Sequence, residues 1–373
     1  MAPGRQTRIL IVEDSAVMRS LLRSVVTSGS GLEVIGTAAD GASALISVDR
    51  DRPDLVLLDV EMPVMNGLDT LRQLRRQGHK MPVIMCSSLT TSGAKVTIEA
   101  LAGGASDYVA KPAGQASREE AIQTLAQELL PKIYALTGSA QAAPAPPTLR
   151  PVQSVPAPDV QPIASSVSIV VIGVSTGGPA ALDVLLPALP AGFPLPVLVV
   201  QHMPEVFTSL LAQRLSHRCA LEVREATESE PVQPGAVLIA HGGWHMEVLG
   251  SARSSAPSTI HLNQDPPENH CRPAVDVLFR SAAKVYGSGV LGVVLTGMGS
   301  DGLVGCRLIR GQGGSVIAQD QATSTVWGMP GAVAQAGLAH KVLPLAAIAP
   351  EIVRIVSRAS APADPRNAAP AAV

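Results

Sequence analysis

Ser168–Pro179, SIVVIGVSTGGP, breaks an apolar run with a Ser-Thr-Gly-Gly turn. The run Ile169–Val174, interrupted only by Gly173, reads as a strand buried on both faces, as parallel strands are. The two glycines and Pro179 then lead into a helical pattern, Ala180–Leu189. Ser175 therefore stands at the carboxyl end of a strand, beside the N–H groups of a helix start. Those groups can stabilise the oxyanion that forms when a hydroxyl attacks a carbonyl. A second corner follows at Val197–Pro204, VLVVQHMP, with His202 at the strand exit. A third lies at Val290–Gly302, VLGVVLTGMGSDG, with Asp301 at the exit. Ser, His and Asp at three strand exits of one sheet point to a hydrolase.

Working outward, the short strands Val237–Ala240 and Ser315–Ala318 continue this glycine-rich alternation, and His241–Leu262 reads as a hairpin excursion. Upstream, AQAAPAPPTLRPVQSVPAPDVQPIA lies between Gly138 and Ser165 and has no hydrophobic period. It reads as a semi-extended linker, and Ala359–Val373 as a frayed tail of the same character. Before the linker, strands Ile9–Val12, Leu32–Ile35, Leu55–Leu58, Val83–Cys86 and Tyr108–Ala110 alternate with helical patterns such as Val17–Val26, Ser43–Asp49 and Glu119–Leu136. The expected architecture is α/β: a five-stranded doubly wound parallel sheet over 1–137, a linker over 138–165, and a second, mostly parallel α/β domain over 166–358.

Composition narrows the function. The 373 residues carry a formal charge of −2 and show no basic stripe with interleaved aromatics, which argues against nucleic acid. Aromatics are only 2%, so the cores are expected to be aliphatic. The four cysteines form no CxxC pair, which fits a reducing compartment. MAPGRQTR enters a strand without an apolar leader, and no run approaches membrane-spanning length. A cytoplasmic protein with no membrane insertion is expected.

The first half carries its own constellation. Glu13 and Asp14 close the first strand, Asp59 the third, and Lys111 follows the fifth. Three convergent acids repel one another unless a hard cation such as Mg²⁺ neutralises them. A carboxylate held beside such a cation and a lysine is equipped to accept a phosphoryl group, and Ser87 could hydrogen-bond the acyl phosphate. Taken singly, acids at strand ends are as readily helix caps.

VEDSAVMR, LLDVEMPVMNGLD, CSSLT and DYVAKP resemble, in order, the motifs of the receiver domain of two-component response regulators. The resemblance implies Asp59 as phospho-acceptor, Glu13 and Asp14 on Mg²⁺ with the carbonyl of Glu61, Ser87 as switch hydroxyl, Tyr108 as the rotating aromatic and Lys111 on the phosphate. Glu13 stands where aspartate is more usual. In the second half, IGVSTGGP, VVQHMP, RPAVDVLF, VLTGMGSDG and VWGMPGAV resemble the catalytic domain of the chemotaxis protein-glutamate methylesterases. That resemblance implies a triad of Ser175, His202 and Asp301, with Thr176 and Met298 lining the oxyanion site. It further implies glutamyl γ-methyl esters on the cytoplasmic helices of chemoreceptors as substrate, with glutamine deamidation alongside, and a histidine kinase as phosphodonor. No cofactor is expected in the catalytic half. His241 departs from the proline usual in the family.

Alternatives stay open from the residues alone. GVSTGG could cradle a phosphate, making the second half a nucleotide-binding output domain, although it matches neither common phosphate-loop pattern. The second half could also dock a partner without chemistry. Asp301 could simply cap the helix Gly302–Arg310. His241 and His245, four apart, could suggest a metal pair, but the intervening glycines argue for a loop. His245 and Arg272 are plausible cleft residues, while Trp244 and Trp327 receive no role.

Overall fold

A computed structural model of the chain describes residues 5–112, 117–139, 167–250 and 257–359. Nearly all of the expected linker and tail lies outside these residues. The first half contains β1 (Thr7–Val12), β2 (Leu32–Ala38), β3 (Leu55–Asp59), β4 (Val83–Ser87) and β5 (Asp107–Ala110). They form one sheet in the order β2-β1-β3-β4-β5, parallel throughout. The helices are α1 (Ala16–Ser28), α2 (Gly41–Asp51), α3 (Gly67–Arg76), α4 (Thr91–Ala102) and α5 (Arg118–Thr137). Each begins on a side-chain cap: Ser15, Asp40, Asn66, Thr90 and Ser117 accept from the backbone N–H three residues on.

The second half contains β6 (Ile169–Val174), β7 (Val197–Gln201), β8 (Glu222–Glu225), β9 (Ala236–Ile239), β10 (His245–Leu249), β11 (Thr259–Asn263), β12 (Val290–Val294), β13 (Ser315–Gln319) and β14 (Lys341–Leu343). Seven of these make a parallel sheet ordered β14-β13-β12-β6-β7-β9-β8, so β6 sits at its centre, between β12 and β7. The expected hairpin is the antiparallel pair β10 and β11. Helices α6 (Gly178–Leu185), α7 (Glu205–Ser216), α8 (Val275–Tyr286), α9 (Leu303–Gly311), α10 (Met329–Gln335) and α11 (Leu345–Ala359) cover its faces. Unlike α1–α5, helices α6–α10 start without a side-chain hydrogen bond from the N-cap residue.

The central strands were legible because both faces are covered: every residue of β6, β7 and β12 is buried. The edge strands β8 and β14 carry little sequence signal, since EVRE is mostly polar and KVL is only three residues long. The two halves share an apolar cluster in which Leu101 and Tyr108 meet Met203, Phe207 and Leu211. Helix α4 lies against α6 and α7 there. No helix among the described residues is long and apolar enough to cross a membrane.

Candidate active site and phospho-acceptor site

The candidate nucleophile sits in a turn that glycine makes possible. Gly177 has φ +77°, and a Cβ there would lie 2.3 Å from Thr325 Oγ1. Gly297, in the turn after β12, approaches so closely that a Cβ would come within 2.8 Å of the Ser175 Cβ. Backbone bonds pin the turn on both sides: Ser175 N–H donates to Thr296 O at 3.0 Å and Gly178 N–H to Ser175 O at 2.8 Å. Gln201, the last residue of β7, is 2% exposed. Its amide nitrogen donates to Ser175 O at 3.1 Å and His202 O at 3.3 Å, tying the two corners together.

Asp301 is not at the strand exit, as the sequence suggests, but seven residues beyond the end of β12. The intervening turn carries it to the N-terminus of α8. Its Oδ2 accepts from His202 Nε2 at 2.8 Å and Val275 N–H at 2.7 Å. Its Oδ1 accepts from Asp276 N–H at 3.0 Å, Gly302 N–H at 2.9 Å and Asn269 Nδ2 at 2.8 Å. Asp301 thus caps the start of α8, not the helix Gly302–Arg310 as one reading of the sequence has it, and holds the imidazole at once. Burial opposes its charge, but His202 and the backbone donors outweigh burial and hold the carboxyl below its usual range.

His202 is bound to Asp301 through Nε2, which leaves Nδ1 as the atom able to take a proton. In this structure Nδ1 faces the Cys271 thiol at 3.5 Å. Among the described residues the Ser175 hydroxyl has no hydrogen-bond partner. The pair His202–Asp301 is assembled, and Ser175 lines the same cavity with no hydrogen bond to the ring among the described residues. Burial would depress the imidazole, yet the Asp301 hydrogen bond, the thiol contact and the Asp301 charge raise it to about 9.

The cavity occupies about 850 Å³ and takes in Ser175, Thr176, His202, Met298 and Asp301. Part of its wall is supplied by the first half, through Asp107, Tyr108, Pro131 and Lys132. The Thr176 hydroxyl donates to Asp107 Oδ2 at 2.7 Å, and Tyr108 stacks on Phe207. Arg272 lines the cavity. His245 does not: it is 1% exposed, with Nδ1 accepting from Ala274 N–H at 3.3 Å and Nε2 on Pro266 O at 3.2 Å. That corrects its reading as a cleft residue, because the apolar hairpin seats it beneath α8's entry. His241 turns its Nδ1 to Gly242 O at 2.8 Å, and the described residues bring no third ligand to His241 and His245 that would complete a metal group of three.

One such cluster exists among them, at Glu13, Asp14 and Asp59, whose oxygens lie within 4.8 Å of one another. Lys111 Nζ stands 2.7 Å from Asp59 Oδ1 and 2.9 Å from Glu13 Oε2. Asp59 Oδ2 is buried without a hydrogen-bond partner. Burial and the Asp59 charge push Glu13 up to about 7 despite Lys111. An orphaned carboxylate oxygen among three acids suits a hard divalent cation, so the donor set fits Mg²⁺. Ser87 is fully buried; its Oγ donates to Ser88 O at 3.1 Å and accepts from Thr97 Oγ1 at 2.7 Å. Glu61 N–H donates to Asp59 Oδ1 at 3.2 Å.

Sequence reading missed Gln201, Cys271, Asn269 and Asp276 as parts of this site. VVQHMP contains Gln201, RPAVD ends on Asp276 and the loop before it holds Asn269 and Cys271, but nothing in their spacing sets them apart.

Comparison with known proteins agrees with both halves. The CheB methylesterase family model matches residues 170–352, and the response regulator receiver domain model matches residues 9–123. A protein-glutamate methylesterase/protein-glutamine glutaminase of Nocardioides sp. is 49% identical over 355 residues, covering 94% of this chain and 96% of that protein. One of Trichodesmium erythraeum is 47% identical, covering 93% and 98%. The crystal structure of the Thermotoga maritima CheB methylesterase catalytic domain superposes with a TM-score of 0.50 at 43% identity, covering 51% of this chain and all of that one. The chain belongs to the protein-glutamate methylesterase/protein-glutamine glutaminase family of hydrolases, in the form that joins a CheB methylesterase domain to a response-regulator receiver domain.

Proposed function

We propose that this chain removes γ-methyl groups from glutamyl residues, and deamidates glutamines, on the cytoplasmic helices of chemoreceptors, under control of phosphorylation at Asp59. The observation that carries the reading is the His202–Asp301 hydrogen bond of 2.8 Å in a cavity shared with Ser175 and walled by the receiver half. The receiver corresponds to residues 1–137 and the catalytic domain to 166–358.

In the reaction, Ser175 Oγ attacks the ester carbonyl while His202 Nδ1 takes its proton. Asp301 keeps the imidazole oriented through Nε2 and stabilises the imidazolium. N–H groups of the Ser175–Gly178 and Thr296–Gly299 turns receive the oxyanion, with Thr176 and Met298 beside it. His202 returns the proton to the departing methoxide and methanol leaves; a water deprotonated by His202 then adds to the acyl carbonyl, the ester bond to Ser175 Oγ breaks, and that oxygen takes the proton back as the glutamyl carboxylate is released. For Nδ1 to serve, the ring must exchange the Cys271 thiol for the Ser175 hydroxyl.

In the receiver, Glu13, Asp14 and Asp59 would hold Mg²⁺ together with the Glu61 carbonyl. When bound, the ion neutralises charge on the phosphoryl oxygens as Asp59 accepts the group from a histidine kinase. Lys111 orients and balances the Asp59 carboxylate, and Ser87 and Tyr108 report the change. Tethering lets the receiver rest over the cleft with modest intrinsic affinity. Phosphorylation shifts that docking equilibrium. The contacts Thr176–Asp107 and Tyr108–Phe207 are what such a shift would break. A cytoplasmic site of action follows from this substrate.

Labelling by a fluorophosphonate probe tests the reading against a domain that docks a partner without chemistry. Label on Ser175 that disappears in His202→Ala supports it. Label that persists in His202→Ala, or never forms with phosphodonor and Mg²⁺ present, rejects it.

A further inference from the structure

Asn269 lies in the loop before α8 with φ +53°, a left-handed backbone that asparagine and aspartate adopt more readily than most residues. Its side-chain nitrogen donates to Asp301 Oδ1 at 2.8 Å and to Asp276 Oδ2 at 3.1 Å. The opposite amide orientation would set its oxygen against two carboxylates, so the donor assignment is the physical one. Asp276 is 2% exposed and also accepts from Gly305 N–H at 2.7 Å. Of the five donors to Asp301, three are backbone groups; His202 and Asn269 alone are side chains.

We infer that Asn269 is a positioning residue, whose single amide cross-links the Asp301 and Asp276 carboxylates so that Asp301 presents Oδ2 to His202 and leaves Nδ1 for Ser175. The inference rests on the triad proposed above. Two buried carboxylates on one helix start repel each other, and a donor shared between them relieves that repulsion without adding charge. Burial together with the Asp301 charge pushes Asp276 up to about 6, with the Asn269 and Gly305 hydrogen bonds opposing. Other polar groups near the His202–Asp301 pair are Cys271 on the same loop and Glu268, which Arg280 of α8 pairs with; His245 lies beyond Glu268.

Removing the amide leaves more uncompensated charge on Asp301. That charge faces the imidazolium, so the pH at which His202 becomes a base moves upward. Two substitutions separate this role from shape. Asn269→Gly keeps the left-handed backbone and deletes the donor. Asn269→Asp keeps both backbone and outline but replaces the donor with an acceptor.

The experiment measures kcat, KM and the pH profile of methanol release from methylated receptor membranes, with thermal melts to confirm folding and Ser175→Ala alongside. Expected for both Asn269 variants is a kcat about tenfold lower, an unchanged KM, and an acid limb displaced upward by roughly half a unit or more. A wild-type kcat and acid limb in Asn269→Gly overturns the inference, as does wild-type behaviour of Asn269→Asp, which would make the residue a matter of shape. If Ser175→Ala retains full activity, the triad itself is what fails.

Discussion

Tyr108 of β5 stacks on Phe207 of α7, with ring centroids 4.5 Å apart and planes 23° from parallel. Asp107, its neighbour in β5, takes the hydroxyl of Thr176 beside the candidate nucleophile. One dipeptide of the receiver therefore makes both an apolar and a polar contact to the catalytic half. Tyr108, expected from the receiver resemblance to be the rotating aromatic, is part of the wall of the cleft.

If that wall is held partly by the ring pair, weakening it shifts the docking equilibrium. A stacked pair contributes about 0.5–1.5 kcal/mol beyond its area, so Phe207→Leu is expected to raise the rate of the unphosphorylated protein about two- to tenfold. The phosphodonor-stimulated rate should change little, because the contact is already broken in that state. Methanol release with and without phosphodonor checks both statements; an unchanged basal rate in a folded variant contradicts the latch.

The pH dependence follows from His202. With the imidazole raised to about 9, the ring is charged at neutral pH and cannot accept the Ser175 proton. Activity should climb through the neutral range and level off above about pH 9. Burial works against the charge and the Cys271 thiol supports it, so Cys271→Ala should move the acid limb of kcat/KM to lower pH. The stability consequence has the opposite sign. A pKa raised on folding stabilises fully below the unfolded value of about 6.5, and that contribution is lost as pH rises through about 9. Denaturant midpoints of wild type and His202→Ala, compared at both ends of that window, measure it.

The acidic cluster predicts a metal-dependent stability. Lys111 is the ammonium between Glu13 and Asp59, and its side chain is 23% exposed while theirs are 0% and 2%. Lys111→Ala strands both carboxylates, for a loss of about 3 kcal/mol, the low end for breaking a buried pair. Thermal melts should show a fall of several degrees in chelator that Mg²⁺ partly restores. In the wild type Mg²⁺ should raise the melting temperature, and Asp59→Asn should erase any response of activity to phosphodonor. A melting temperature indifferent to Mg²⁺ in both proteins argues against the cation site.

Much of this was readable from the chain because the central strands are covered on both faces. IVVIGV, VLVV and VLGVV are continuous apolar runs, and each ends where polarity returns as a chemically able residue or leads to one. The receiver's acids and Lys111 fell at strand ends for the same reason. What could not be read depends on loops folding back across the sheet edge. Asp301 reaches His202 from a turn that first visits the start of α8, and Asn269 and Cys271 come from a segment with no period at all. Gln201 carries no mark in the sequence of the two corners its amide holds. The contact between halves was equally hidden, since a lone phenylalanine in an amphipathic helix carries no sign of which neighbour buries it.

Methanol release from methylated receptor membranes, measured for the wild type, Ser175→Ala and His202→Ala with phosphodonor and Mg²⁺ present, tests the central claim most directly. The account predicts rapid release by the wild type and rates lower by about a thousandfold or more in both variants, as expected when members of a nucleophile–base unit are removed. Release by Ser175→Ala at the wild-type rate would contradict it.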